Sequence, residues 1–111
     1  MYKFNSKGFE MEFNVTKNNG SVNIKIIGPV DWRQTENLEF EFSQLLLWDF
    51  EEAILNLSSV PFITSSAIGK ILVFYKTAQV MGKKIRIKGI NRNLLNLFKT
   101  IKIDQLVPLE A

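Results

Sequence analysis

The apolar run Ala53-Ile54-Leu55-Asn56-Leu57 stands between two segments of helical period. A run this short reads as a strand buried on both faces of a parallel sheet. Upstream, Thr35 to Leu47 sets Leu38, Phe42, Leu45 and Leu46 on one helix face and carries glutamates early, where the positive end of the helix dipole favours them. Asp31 or Thr35 can cap this helix, and its end is predicted near Trp48. Downstream, between Thr64 and Val80, Ile68, Ile71, Leu72, Tyr75 and Ala78 recur at helical spacing, and Gly82 stands where a left-handed C-terminal residue is wanted. Crossovers between strands of one sheet are right-handed, so the strands joined by these helices should run parallel.

The flanking segments fill out the same plan. Met11 to Lys17 and Ser21 to Ile27 alternate around Asn18-Asn19-Gly20, and Asn-Gly supplies the positive φ of a tight turn, which predicts a β-hairpin. Gly28-Pro29 ends its second strand, because proline offers no donor to a ladder. Lys84-Ile85-Arg86-Ile87-Lys88 alternates as a strand, Asn91 to Lys99 is a helix with Asn91 as cap, and Ile101 to Leu109 is a weaker segment with room for a last short strand. The expected architecture is α/β: a mixed β-sheet with an N-terminal hairpin and about three to four helices packed on it. Residues 11–111 form one domain; residues 1–10 are an extension, either an extra edge strand or mobile.

A chain of 111 residues has room for one core and no separate catalytic domain. It contains no Cys and no His, which excludes thiol nucleophiles, disulfides, the usual zinc sites and a Ser-His-Asp triad. There is no Walker-type glycine loop either, so an enzyme is the least favoured class, and no catalytic residue, metal or cofactor is assigned. No apolar run approaches the roughly 20 residues that cross a bilayer, and residues 1–10 lack a signal-peptide core, which places the protein in the cytoplasm without membrane insertion.

The net charge of +3 is unevenly spread: residues 1–52 hold 5 Lys/Arg against 9 Asp/Glu, residues 53–103 hold 9 against none, and residues 104–111 none against 2. The basic stretch could draw phosphate, nucleic acid or an anionic membrane. The alternative is a solvated face balanced by the acidic segment Glu36 to Glu52, and it is favoured because base-stacking aromatics are missing: Phe74, Tyr75 and Phe98 sit in helical patterns. Nucleic acid is not an expected partner.

Thr64-Ser65-Ser66-Ala67-Ile68-Gly69 lies where a loop meets a helix start. Its hydroxyls can simply accept from the free N–H groups of the first turn, a cap worth about 1 kcal/mol. The same donors and dipole also favour an added phosphate, which would change the surface by roughly −1.5 to −2 charges, so a hydroxyl here suits a switch. Asp31 is equally open to a plain capping role. Trp32 and Trp48 are expected in core or rim packing, and Phe62 is either an exposed docking residue or a buried staple.

Gly28-Pro29-Val30-Asp31 after a hairpin, Ile54 to Ile63, Thr64-Ser65-Ser66-Ala67-Ile68-Gly69 and Gly82-Lys83-Lys84-Ile85 together resemble the STAS domain of bacterial anti-sigma factor antagonists, over about Met11 to Leu109. The resemblance implies a STAS-type sheet and a non-enzymatic regulator of transcription. Its partner would be an anti-sigma factor that is a serine kinase, and phosphorylation would fall on Ser66, with Ser65 as the alternative. Asp31, Phe62, Thr64, Ser65, Ser66 and Ala67 would form the partner-binding surface. Two positions depart from the family pattern: Thr64 replaces an aspartate and Ala67 a glycine. They motivate a second reading, a constitutive, unphosphorylated STAS scaffold in a larger regulatory or transport complex. A weak homodimer is a further expected association.

Overall fold

The computed structural model describes residues 2–7 and 11–110, with side chains from Met11 onward. Of the N-terminal extension, Met1 and residues 8–10 lie outside the described residues, as does Ala111. Strand β1 (Tyr2–Lys7) is followed by β2 (Glu12–Asn18) and β3 (Ser21–Ile27), then helix α1 (Thr35–Leu45), β4 (Glu52–Ser59), α2 (Ser65–Val80), β5 (Lys84–Lys88), α3 (Arg92–Thr100) and β6 (Leu109–Glu110). The six strands make one sheet in chain order. Pairing is antiparallel from β1 to β3 and parallel from β3 to β6, as hairpin and crossover connections require. The architecture is the expected α/β mixed sheet, with three α-helices and two short 3-10 turns.

At the hairpin turn Asn19 takes the left-handed φ of 58°. In the strands Val22, Ile24, Ile26, Ala53, Leu55, Leu57, Ile85 and Ile87 are buried and alternate with residues that are not. All of these join one core with the apolar residues of the three helices. The aromatic rings of Phe13, Phe42 and Phe74 tie β2, α1 and α2 together: Phe42 lies 4.2 Å from Phe74, nearly parallel, and meets Phe13 edge-on at 5.8 Å.

This corrects the reading of the central strand. Ala53, Leu55 and Leu57 are buried, but Ile54 and Asn56 are only half-buried, so β4 has one core face and one open face. The inner face of α2 is also turned by one residue from expectation, burying Ala67, Ile68, Ile71, Phe74 and Ala78 and leaving Tyr75 and Leu72 half-buried. Helix α1 stops at Leu45, three residues short of Trp48. Asn91 caps α3, accepting from Leu94 N–H at 2.8 Å, while its amide donates to Val60 C=O at 3.2 Å and so anchors α3 to the loop after β4.

Candidate docking and modification site

The chain leaves β3 through Gly28, whose φ of 101° favours glycine, and then runs beside the segment that follows β4. Three backbone bonds join the two segments: Gly28 N–H to Ser59 C=O at 2.9 Å, Val30 N–H to Phe62 C=O at 3.1 Å, and Thr64 N–H to Val30 C=O at 3.0 Å. Val30 and Ile63 pair as a parallel bridge and are both buried. The residues just beyond them, Asp31 and Thr64, are thereby set side by side at the carboxyl ends of β3 and β4, where ligands and partners meet open α/β sheets.

Thr64 is extended, at φ −84° and ψ 160°, and is the cap of α2. Its hydroxyl accepts from Ala67 N–H at 3.4 Å and shares a hydrogen bond with the Ser66 hydroxyl at 3.1 Å. Ile68 N–H reaches Thr64 C=O at 3.0 Å. Ser65 and Ser66 are exposed, and the first turn holds no carboxylate. A phosphate on either oxygen would therefore stand at the positive end of a helix of 16 residues with no acidic neighbour in that turn. One turn further, the half-exposed Lys70 is ion-paired to Glu39 of α1.

Asp31 caps the 3-10 turn Trp32–Gln34 in a capping box: it accepts from Arg33 N–H at 2.8 Å, while its own N–H donates to Gln34 Oε1 at 2.7 Å. The Arg33 guanidinium grips the same carboxylate, with Nη2 at 2.7 Å from Oδ2. Hydrogen bonding from Arg33 holds the Asp31 carboxyl below the usual carboxylate range, against a smaller opposing effect of desolvation. Asp31 thus keeps both roles open to it, since it caps the turn and also stands next to Thr64.

Of the other expected site residues, Phe62 is half exposed. Ala67 is fully buried: its methyl packs into the core and cannot touch a docked protein, which corrects its place on the partner-binding surface. Trp32 also departs from expectation. At 73% exposed it packs neither core nor rim, and it follows Asp31 directly in the chain, as the half-exposed Phe62 comes two residues before Thr64, so each of the two paired segments carries an exposed aromatic. Trp48 is partly buried against the core.

The basic stretch is partly spent inside the fold. Lys70 pairs with Glu39, Arg86 bridges Glu52 and Glu110, and Lys83 donates to Trp48 C=O and Phe50 C=O at 3.0 Å while lying over the Phe50 ring. Among the described residues no cluster of carboxylates could hold a metal ion, and no helix is long and apolar enough to cross a membrane.

A family model for the STAS domain matches residues 12–111. No curated protein sequence matches the chain. Among solved structures it is similar to the anti-sigma factor antagonist SpoIIAA in its unphosphorylated form, with a TM-score of 0.69 and 17% identity over 89% of this chain and 86% of that one. The Bacillus cell fate determinant SpoIIAA in its phosphorylated form gives a TM-score of 0.70 and 16% identity over 89% of this chain and 90% of that one. A sulfate transporter family protein from Wolinella succinogenes gives 0.73 and 14% over 86% and 80%. At such identities these likenesses speak for the fold.

Proposed function

The chain belongs to the STAS domain family, and we propose that within it this protein acts as an anti-sigma factor antagonist-like regulator that is switched by phosphorylation at Ser66. The observation that carries the reading is the exposed Ser66 hydroxyl at the start of α2, hydrogen-bonded to the cap residue Thr64, which the Val30–Ile63 bridge sets beside Asp31. The partner is an anti-sigma factor kinase that docks on Asp31, Phe62, Thr64, Ser65 and Ser66, with Trp32 added to that surface. Exposed aromatics beside a polar centre suit such a contact, since aromatic anchors supply much of the binding energy of protein interfaces. Adding two negative charges in the middle of the patch would repel or desolvate unfavourably against a surface shaped for the neutral hydroxyl, which is how phosphate would release the partner. The protein itself performs no catalysis in this scheme and works in the cytoplasm. That SpoIIAA has been solved in phosphorylated and unphosphorylated forms supports the reading by likeness of fold.

Incubation with the anti-sigma factor kinase of the same organism and ATP, followed by phosphopeptide mass spectrometry, is expected to place phosphate on Ser66, or on Ser65. Phosphate found only elsewhere rejects the switch. A second reading is favoured by Thr64 standing in place of the family's aspartate and by the transporter-family neighbour: a constitutive scaffold in a larger regulatory or transport complex. Pull-down with Ser66→Asp separates the two, because partner capture is lost under the switch and kept under the scaffold.

A further inference from the structure

The two edges of the sheet are treated differently. At one end β6 is two residues long and begins directly after Pro108, whose missing N–H leaves nothing to extend the ladder toward Ile85. That is a blunted edge. At the other end β1 runs for six residues in unbroken antiparallel register with β2, from Tyr2–Lys17 to Lys7–Glu12, with no bulge and no proline. Its outer side has no described strand beside it. A long, regular, unblunted edge presents alternate N–H and C=O groups ready to pair with another strand.

The register also says what kind of strand fits. Phe4 occupies the position of Val15, Ile24, Leu55, Ile87 and Leu109 in one continuous apolar row across all six strands. By register it is the last position of that row, and among the described residues no strand stands beyond it. We propose that the β1 edge pairs antiparallel with the β1 edge of a second copy, about a two-fold axis at Phe4, joining the two sheets into one.

Antiparallel self-pairing is closed, since each copy uses up its β1 edge in the contact and the assembly stops at two. Residues directly opposite each other must share a sheet face, so the axis has to fall on a residue. With the axis at Phe4, the row continues as Phe4 against Phe4 of the second copy, Tyr2 meets Ser6, and Lys3 meets Asn5. Moving the axis to Asn5 would set Lys3 against Lys7, two like charges directly opposed, which costs stability. The arrangement centred on Phe4 is therefore the one that charge and hydrophobicity both select. It leaves the start of α2 at the carboxyl ends of β3 and β4, away from the contact, so it does not depend on the proposed switch.

The test is sedimentation velocity on the full chain over a concentration series from micromolar to several hundred micromolar. The wild type is expected to move from monomer to dimer with rising concentration. Phe4→Lys alone and Phe4→Glu alone place like charges on the axis, and each should weaken dimerisation at least about tenfold. An equimolar mixture of the two should restore the dimer, because Lys then faces Glu, and this also shows that both variants are folded. A wild type that stays monomeric throughout, variants that dimerise as well as the wild type, or a mixture that stays monomeric would each overturn the proposal.

Discussion

Replacing Thr64 by valine tests whether the start of α2 is held by a side-chain oxygen. Valine keeps the branched shape and accepts the extended backbone at φ −84° and ψ 160°, so the change removes the oxygen and little else. The Thr64 hydroxyl accepts from Ala67 N–H at 3.4 Å, beyond the usual 2.7–3.2 Å of a strong N–H···O bond, which puts the cap in the lower half of the range measured for such residues. The expected cost is about 0.5–1 kcal/mol. For a domain of this size that corresponds to a fall in Tm of roughly 2–4 °C. The second bond of the hydroxyl, to Ser66 at 3.1 Å, is solvent-exposed and adds little. Thr64→Asp should move the other way by about 0.3–1 kcal/mol, since a carboxylate caps well and meets the positive dipole end. Urea unfolding of the three proteins gives the energies, and amide exchange at Ala67 reports the cap itself. If valine leaves both unchanged while aspartate destabilises, the hydroxyl does not hold the helix start and the geometry argued for Ser66 loses its frame.

Asp31→Asn removes a carboxylate whose folded value lies below its ordinary one. A depressed carboxyl contributes stability above its unfolded value and loses it as pH falls through the folded value, so the variant should be less stable than wild type at pH 7, and the gap should close below the usual carboxylate range. Paired unfolding curves at neutral and acid pH check this; a gap that persists at the acid end contradicts it. Gly89→Ala should be costly. Gly89 has φ of 74°, and a Cβ there would lie 2.8 Å from Asn56 Oδ1 and 3.3 Å from the backbone nitrogen of Ser58. Left-handed strain alone costs roughly 1–2 kcal/mol, and the contacts add to it, so Tm should fall well beyond the change seen for Thr64→Val.

Much of this fold was legible from short-range chemistry, and the errors have physical causes that the same sequence contains. The central strand read as doubly buried because Ile54 and Leu55 are both apolar, yet its neighbours settle the matter. Val22-Asn23-Ile24-Lys25-Ile26 and Lys84-Ile85-Arg86-Ile87-Lys88 each alternate, and strands paired on both sides share their faces, so a run between two half-polar strands must itself have an open face, the one that Asn56 marks. Ala67 was also readable, since Ala67, Ile71, Phe74 and Ala78 follow one another at four, three and four residues, a single helical stripe, and all are buried. Trp32 was different. Periodicity carries no information on a residue in a capped 3-10 turn, and only the Val30–Ile63 bridge, a pairing distant in the sequence, shows that the segment leading into this turn runs beside the segment leading into α2. The local part of the site, a cap and two exposed hydroxyls, follows from spacing along one segment. The proposed docking surface depends on two loops being zipped together by three backbone bonds, and backbone bonds leave no mark on side-chain pattern. Under the proposed function, that division places the mutations that test recognition on Trp32 and Phe62, in the two loops, and those that test the switch on Ser66 within the helix.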